Sequence, residues 1–495
     1  MTDTDLDVLI VGAGISGIDA AYHLRRRHPK RSFAILEQKE SFGGTWHIHR
    51  YPGARSDSDL FTFGFGWKPW TGVPLATAEE IRAYLDEAMS EHDLHRHVRY
   101  RQRVVSADWQ ADHWRLLVEG PDDQRAVITC RFLWMCQGYY RHEAGYAPDF
   151  KGRDSFSGQV VHPQTWPQDL EYSGKRVVVI GSGATAATII PAMAGTAAHV
   201  TMLQRSPTYF YPRPKVSPLA ELLAPLELPP EWTHEIMRRH YLRESGVTAR
   251  RAREEPESLR ADLLSGARAY LGKDFPIDPH FSPKYAPWRQ RIAVVPDGDL
   301  YAAIARGDAS VVTDEVERFT ETGLRLTSGT ELEADIVVTA TGFHLSMMGD
   351  IPFTVDGMPV DWPETWAHRG IMFSGVPNLA WVFGYLRSSW TLRADMISDF
   401  VCRLFDRMDT GGARVVTPQL RPADADMPAL PLIDPENFNA GYIMRKAHIL
   451  PKQGDRAPWI FSQDYYRERD EIPCADLDDG SLVYSLRTGT SSSAA

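Results

Sequence analysis

The first segment of the chain that could do chemistry is a glycine-rich turn near the N-terminus. Gly12, Gly14 and Gly17 fit the pattern G-x-G-x-x-G. The first glycine permits a tight turn, the second lets the backbone approach a pyrophosphate, and the third lets a helix pack closely on the strand. About 20 residues further on, Glu37 can accept hydrogen bonds from ribose hydroxyls and would repel a 2′-phosphate. The segment therefore predicts a site for FAD or NAD rather than NADP.

A second segment repeats this pattern with a different charge at its end. Gly181, Gly183 and Ala186 fit G-x-G-x-x-A, and the strand predicted after them ends in Arg205 and Ser206. A cation in this position suits a 2′-phosphate, so we predict that this site binds NADPH. Two dinucleotide sites in one chain indicate electron transfer between two cofactors, which the protein holds in position.

The elements around both motifs are typical of Rossmann-like units, so we predict an α/β fold with two dinucleotide-binding domains. The predicted elements are a strand at 8–11, a helix at about 15–26 and a strand ending at Glu37, then a strand at 177–180, a helix to about 194 and a strand at 199–206. Another buried strand leads into the small residues Ala340, Thr341 and Gly342. Such a turn can pass close to a cofactor.

The composition argues against several other classes of protein. A net charge of −11 disfavours binding to nucleic acid. None of the four cysteines forms a C-x-x-C pair, so we expect no disulfide framework, no metal site and a cytoplasmic protein. No secretory signal is visible, and no apolar run approaches the roughly 20 residues that span a membrane. The basic cluster at 25–31 could touch lipid, although a solvated helix end is the favoured interpretation. A homo-oligomer is left open.

A third motif gives the chain a family resemblance. The segment from Phe156 to Pro167, FSGQVVHPQTWP, resembles the fingerprint of Baeyer–Villiger monooxygenases and flavin-containing monooxygenases. Trp166, where a tyrosine or phenylalanine would favour the second group, favours the first. The segments GGTWHIHRYPGARSDSD at 43–59 and YAPWRQRIAVVPDGDL at 285–300 resemble the family's flavin-contacting and catalytic-arginine segments. The resemblance extends over about 5–470 and is strongest to the ethionamide-activating branch.

The resemblance implies roles for individual residues. Arg291 would supply the catalytic positive charge, and Asp57 would pair with it and also contact the cofactors. Gln290 occupies the position at which many relatives carry a lysine that binds the 2′-phosphate. In this chain, binding of the 2′-phosphate would therefore depend mainly on Arg205, with a further contribution from Ser206. For His162 and Trp166, a packing role is at least as plausible as chemistry. Further cofactor contacts are expected at Gly44, Thr45, Trp46, Val104 and Thr341.

The resemblance also implies a reaction. NADPH would reduce FAD, O2 would form a C4a-peroxyflavin, and one oxygen atom would enter a ketone, giving an ester, or a sulfide, giving a sulfoxide. This is class B flavin-dependent monooxygenase chemistry. The alternative is an N- or S-oxygenating flavin-containing monooxygenase without Baeyer–Villiger activity. A flavin disulfide reductase would need a redox cysteine pair, and a non-catalytic NADPH sensor would not need Arg291 and Asp57.

We predict three spatial units from five stretches of chain. The FAD-binding domain takes 1–147 and 344–495, the NADP-binding domain takes 148–208 and 290–343, and a helical insert takes 209–289. In relatives such inserts roof the active site, and the alternative is a plain helical cap without substrate contact. The composition of 450–459 suggests a mobile loop that folds over NADP. The polar tail at 486–495 is predicted to be flexible.

Overall fold

The computed structural model describes residues 4–485, and two sheets organise it. The larger sheet has nine strands and contains the first glycine motif. Its central strands run parallel, and an antiparallel meander extends one side. Its strand order is Met358–Pro359, Phe353–Val355, Arg103–Gln110, His113–Glu119, Arg125–Met135, Thr4–Val11, Phe33–Glu37 and Val98–Tyr100, with Leu379–Trp381 also paired to Arg125–Met135.

The smaller main sheet contains the second glycine motif and has five parallel strands. Its order is Ala309–Thr313, His199–Gln204, Arg176–Ile180, Ile336–Thr339 and Gln159–Val161. The strands are rich in valine and isoleucine because both faces of the sheet are buried. One face packs against the helices Ala184–Met193 and Asp299–Ala305, and the other packs against the strands Val316–Thr320 and Gly323–Leu326. The fold class predicted from the sequence, α/β with two Rossmann-like units, is confirmed.

Helices pack against both sheets, and further helices form the segment at 218–280. Ile15–Arg27 follows the first motif, and Ala184–Met193 follows the second. Ala78–Glu91 begins with a capping box, in which Thr77 and Glu80 satisfy each other's backbone N–H groups. The remaining helices of seven or more residues are Pro230–Glu254, Pro256–Leu271, Asp299–Ala305, Thr391–Gly411 and Tyr465–Glu471.

Small sheets and short helices complete the described chain. Phe210–Arg213 pairs in parallel with Ala293–Pro296, so the strands on either side of the 218–280 helices lie together. The other small sheets join Val316–Thr320, Gly323–Leu326 and Glu331–Glu333; Ala367–His368 and Met372–Phe373; Val415–Pro418 and Leu482–Ser485; and Leu430–Pro431 and Lys452–Gln453. The short helices are Thr45–Ile48, Leu60–Phe63, Pro218–Leu223, Ile277–His280 and Gly441–Met444. The division into domains stays a prediction.

The basic cluster at 25–31 joins two helices. Arg27 donates to the Asp399 and Asp406 carboxylates, each at 2.7 Å, and Arg31 donates to Asp409 at 2.6 Å. All three acids belong to the Thr391–Gly411 helix, which packs against Ile15–Arg27. These cations are therefore engaged in packing between helices. Within residues 4–485, no helix combines the length and apolar character that crossing a membrane requires.

The segment at 450–459 is a loop with one two-residue strand, and its packing anchors it to the fold. Lys452 and Gln453 form a strand, Trp459 is fully buried, and its indole N–H donates to Asp424 at 2.9 Å. The segment lies outside the large cleft described below. Its polar residues suggested a surface loop, but the buried Leu450 and Trp459 anchor both of its ends. The tail at 486–495 lies outside the described residues.

Candidate active site

The first glycine motif adopts a geometry that only glycine permits. Gly12 has φ +104°, and a Cβ there would lie 2.6 Å from the carbonyl oxygen of Cys136. A Cβ on Gly17 would lie 1.9 Å from the carbonyl oxygen of Gly12. These contacts bring the N-terminus of the Ile15–Arg27 helix close to the end of its strand, where free N–H groups can hold a phosphate.

Glu37 is fixed beside this motif by two backbone bonds. Its carboxylate accepts from the N–H of Ala13 and from the N–H of Lys39, both at 2.9 Å. Burial raises the pKa of Glu37, and these bonds act in the opposite direction. The geometry therefore fits the predicted role, in which an acid at the strand end meets the ribose hydroxyls of a dinucleotide.

The second motif leaves open space where the first motif meets protein. Gly181 has φ +134°, and a Cβ there would lie 2.3 Å from the Ala340 carbonyl oxygen. At Gly183 an added Cβ would meet no protein atom within 4 Å. The space beside Gly183 is the room that a pyrophosphate needs at the N-terminus of Ala184–Met193.

A loop after the first helix and strand closes over the first motif. Gly44 has φ +53°, and its Cβ position lies 3.1 Å from the Cα of Gly14. The hydroxyl groups of Thr45 and Tyr140 are 2.6 Å apart, and Trp46 packs edge-on against Phe63. These contacts place the predicted flavin-contacting segment at the wall of the cleft.

One cleft of about 1650 Å³ joins the two motifs. A site for one small ligand measures roughly 300–1,000 Å³, so this cleft has room for more than one. It brings together most of the residues predicted from the sequence: Gly12, Gly14, Glu37, Gly44, Thr45, Trp46, Asp57, Val104, Gly181, Gly183, Arg205, Ser206, Gln290, Arg291 and Thr341. Gly17 and Ala186 lie outside the lining, because the third position of each motif packs the helix on the strand.

Arg291 and Asp57 meet in this cleft in a two-point ion pair. Arg291 Nε donates to Asp57 Oδ2 at 2.7 Å, and Arg291 Nη2 donates to Asp57 Oδ1 at 2.6 Å. Further donors of the same guanidinium reach the Ser58 hydroxyl at 3.1 Å and the Leu386 carbonyl at 3.4 Å. The planar fork of arginine makes this geometry specific.

The pair leaves a fixed positive charge within reach of a ligand. Enclosure in the cleft lowers the pKa of Arg291, but the Asp57 carboxylate outweighs this effect, so the pKa is raised. The side chain of Arg291 is 36% exposed, so a ligand can still approach it. Asp57 thus holds the guanidinium in place and keeps it charged.

The structure adds aromatic residues that the sequence did not single out. Enclosure raises the pKa of both Tyr139 and Tyr442, and the charge of Arg291 acts on both of them. Tyr139 follows the strand that ends at Met135, and strand ends are where ligands bind in such folds, so this position carried a usable signal. Tyr442 is distant in sequence from every motif, so nothing marked it.

The fingerprint residues lie behind the cleft. His162 accepts from the N–H of Gln164 at 3.2 Å and packs on Gly145, where a Cβ would lie 1.7 Å from the ring. Trp166 packs against the core under the second motif, and Phe156 is buried. Neither His162 nor Trp166 lines the cleft, which favours the packing interpretation.

Several known proteins resemble this chain over nearly its whole length. A family model described as flavin-binding monooxygenase-like matches 74–217, and one for an NAD(P)-binding Rossmann-like domain matches 10–87. The FAD-containing monooxygenase EthA of Mycolicibacterium smegmatis is 46% identical over 97% of each chain. The probable FAD-binding monooxygenase AlmA of Acinetobacter baylyi is 42% identical over 98% of this chain and 97% of its own.

Solved structures show the same fold. Oxidised steroid monooxygenase bound to NADP is 23% identical with a TM-score of 0.69, over 85% of this chain and 88% of that chain. Cyclohexanone monooxygenase from Rhodococcus sp. Phi1 bound to NADP+ is 22% identical with a TM-score of 0.70, over 85% and 87%.

Proposed function

The chain belongs to the family of flavin-dependent monooxygenases, and we propose that it uses NADPH, FAD and O2 to insert one oxygen atom into a ketone or a sulfide. The observation that carries this proposal is the pair of Arg291 and Asp57 in a cleft that also reaches both glycine motifs. A positive charge fixed in this position suits a reaction in which an oxygen anion develops beside it.

The described residues fit both cofactors. For FAD, Gly12 and Gly14 would face the pyrophosphate and Glu37 the ribose, while the loop at 43–46 would face the flavin. For NADPH, Gly183 leaves room for the pyrophosphate, and Arg205 supplies positive charge at the strand end. When bound, FAD reduced by NADPH supplies the electrons that activate O2.

Arg291 is the proposed catalytic residue. Its guanidinium stays protonated and would stabilise an oxygen anion, and afterwards the adduct of that anion with a carbonyl group. Single donors of this kind contribute about 3–4 kcal/mol in other enzymes. Asp57 positions the guanidinium through two hydrogen bonds. A permanent positive charge stabilises the anionic, nucleophilic form of the oxidant, and this supports attack on ketones.

Oxidation of sulfides is the second candidate reaction. It requires an electrophilic, protonated oxidant rather than an anion. Two phenols, Tyr139 and Tyr442, lie near Arg291 with raised pKa values, so both stay neutral and can donate hydrogen bonds. These donors support the second reaction in the same cleft.

A product assay tests both reactions. FAD-loaded protein receives NADPH, O2 enriched in ¹⁸O and, in separate reactions, an aryl ketone, an aryl sulfide or a tertiary amine, and products are identified by mass spectrometry. We expect labelled ester and labelled sulfoxide. Labelled sulfoxide or N-oxide without ester would establish the alternative, a heteroatom-oxygenating enzyme. Consumption of NADPH with peroxide release and no labelled product from any substrate would overturn the proposal.

A further inference from the structure

Another arginine of the cleft, Arg445, lies beside the second glycine motif, because its Nη2 donates to the Phe343 carbonyl and the nearby Ala340 packs on Gly181. Arg445 and Arg205 both line this cleft. Burial lowers the pKa of Arg445, and the like charge of Arg205 lowers it further. Arg445 comes from the segment after the short Gly441–Met444 helix, far in sequence from the second glycine motif. The tertiary structure therefore brings two positive charges to one end of the cleft.

Among residues 4–485, neither Arg445 nor Arg205 forms a direct ion pair with a carboxylate. The contacts of Arg445 within residues 4–485 are the Tyr146 ring and the Phe343 carbonyl, and no carboxylate is among them. Asp314 and Glu315 also line the cleft, and the Asp314 oxygens are held by the Thr327 hydroxyl and the N–H of Glu315 rather than by either arginine. Two neighbouring cations without a carboxylate partner favour binding of an anion between them.

The guanidinium of Arg445 is held in place for such a ligand. It stacks 3.6 Å above the centre of the Tyr146 ring, and its Nη2 donates to the Phe343 carbonyl at 3.2 Å. Stacking uses the face of the guanidinium plane, so N–H donors at its edge stay available. An arginine fixed in this way loses little conformational freedom when it binds a phosphate.

We propose that Arg445 and Arg205 together bind the 2′-phosphate of NADPH, an inference that rests on the proposed use of this cofactor. Arg205 follows the strand that ends at Gln204, which is where such folds read the adenosine ribose, whereas the pyrophosphate belongs beside Gly183. Gln290, the place at which the family resemblance leads one to expect a lysine, is neutral. Arg445 supplies the missing charge from another part of the chain.

Calorimetric titration of the oxidised, FAD-loaded protein tests this without turnover. The probes are 2′,5′-ADP, which carries the 2′-phosphate, and 5′-AMP, which lacks it. In Arg445→Gln we expect the Kd for 2′,5′-ADP to rise about 10- to 100-fold, the usual effect of losing a bond to a charged group, with little change for 5′-AMP. Lys446→Gln is the matched control, because this neighbouring cation lies outside the cleft lining and should leave both constants unchanged.

The double variant Arg205→Gln/Arg445→Gln separates joint binding from independent effects. If both arginines hold one phosphate, the loss in the double variant differs from the sum of the single losses. An unchanged Kd for 2′,5′-ADP in Arg445→Gln, an equal loss for 5′-AMP, or strict additivity would each overturn the inference. The oxygenation assay is independent of this result, so failure of the proposed function would be recognised separately.

Discussion

At the scale of single residues, the central feature is that Arg291 and Asp57 form one unit although they lie far apart in sequence. Their two hydrogen bonds of 2.7 and 2.6 Å fix the orientation of the guanidinium, and the carboxylate raises its pKa. Both residues line the cleft, and the guanidinium is partly exposed to it. This arrangement allows the charge to act on a ligand without rearrangement.

Replacement of Arg291 separates cofactor binding from oxygenation. We expect Arg291→Ala to retain FAD, because the glycine motif and Glu37 remain, but to form labelled product 10²- to 10³-fold more slowly, roughly the effect of losing one charged donor. NADPH would still be consumed, and hydrogen peroxide would replace the product. Flavin absorbance, NADPH oxidation and labelled product measure the three quantities. Product formation at the wild-type rate would show that Arg291 is not the catalytic cation.

Replacement of Arg205 tests how the chain distinguishes NADPH from NADH. We expect Arg205→Ala to raise KM for NADPH far more than KM for NADH, because only NADPH carries the 2′-phosphate. Steady-state rates with each cofactor measure the effect. A similar rise in KM for both cofactors would show that Arg205 contacts a part of the molecule that NADPH and NADH share.

At the scale of elements, different positions within the glycine motifs have different surroundings: the third position packs a helix on its strand, and the second position faces the ligand. Gly17 lies where the first helix touches its strand, whereas Gly183 faces open space. The same substitution should therefore affect folding at one position and ligand binding at the other.

A pair of glycine substitutions compares these two environments. In Gly17→Ala the new Cβ would lie 1.9 Å from the Gly12 carbonyl, so we expect a loss of stability of about 1–3 kcal/mol and weaker FAD retention. In Gly183→Ala the Cβ meets no protein atom within 4 Å, so stability should be unchanged while the Kd for NADP+ rises. Thermal unfolding and calorimetric titration measure the two effects. Equal destabilisation by both substitutions would contradict this interpretation.

At the scale of the whole molecule, buried histidines connect stability with pH. Burial lowers the pKa of His368 to about 3, and that of His49 and His142 to about 4. Each histidine has a lower pKa in the folded state than the ordinary value of about 6.5. Protonation therefore favours the unfolded chain, and the stabilisation that is present above pH 6.5 is lost as the pH falls toward these folded values.

His368 offers the clearest test because it lies outside the cleft. As the pH falls from about 6 to about 4, each such histidine lowers the free energy of unfolding by about 1 kcal/mol per pH unit. We expect His368→Asn to be less stable at pH 7.5, since it loses the bond of 2.9 Å to Ser481, but to lose less stability on acidification. Denaturant unfolding at several pH values measures this. As a control, replacement of the exposed His448 by Asn should leave the pH dependence of stability at its wild-type value. If His368→Asn also kept the wild-type pH dependence, His368 would not contribute to the loss of stability in acid.

The sequence by itself determined the fold class and the family, and most of the site residues predicted from it line the cleft. Glycine motifs, buried strands and the ends of those strands are local features, because a tight turn or a βαβ unit is specified within a few tens of residues. Those features sufficed to predict Gly12, Glu37, Gly183 and Arg205, all of which line one cleft. The family resemblance added Arg291 and Asp57, whose contact the structure displays.

Only the tertiary structure decided which distant residues complete the cleft. Tyr442, Met444 and Arg445 line it. The segment at 450–459, whose composition suggested a covering loop, instead packs into the fold through Leu450 and Trp459. The composition of a segment indicates how polar it is. It does not indicate which of two neighbouring segments packs its apolar residues into the core. Tyr442 and Arg445 owe their positions to packing between parts of the chain far apart in sequence, and no local pattern encodes that proximity.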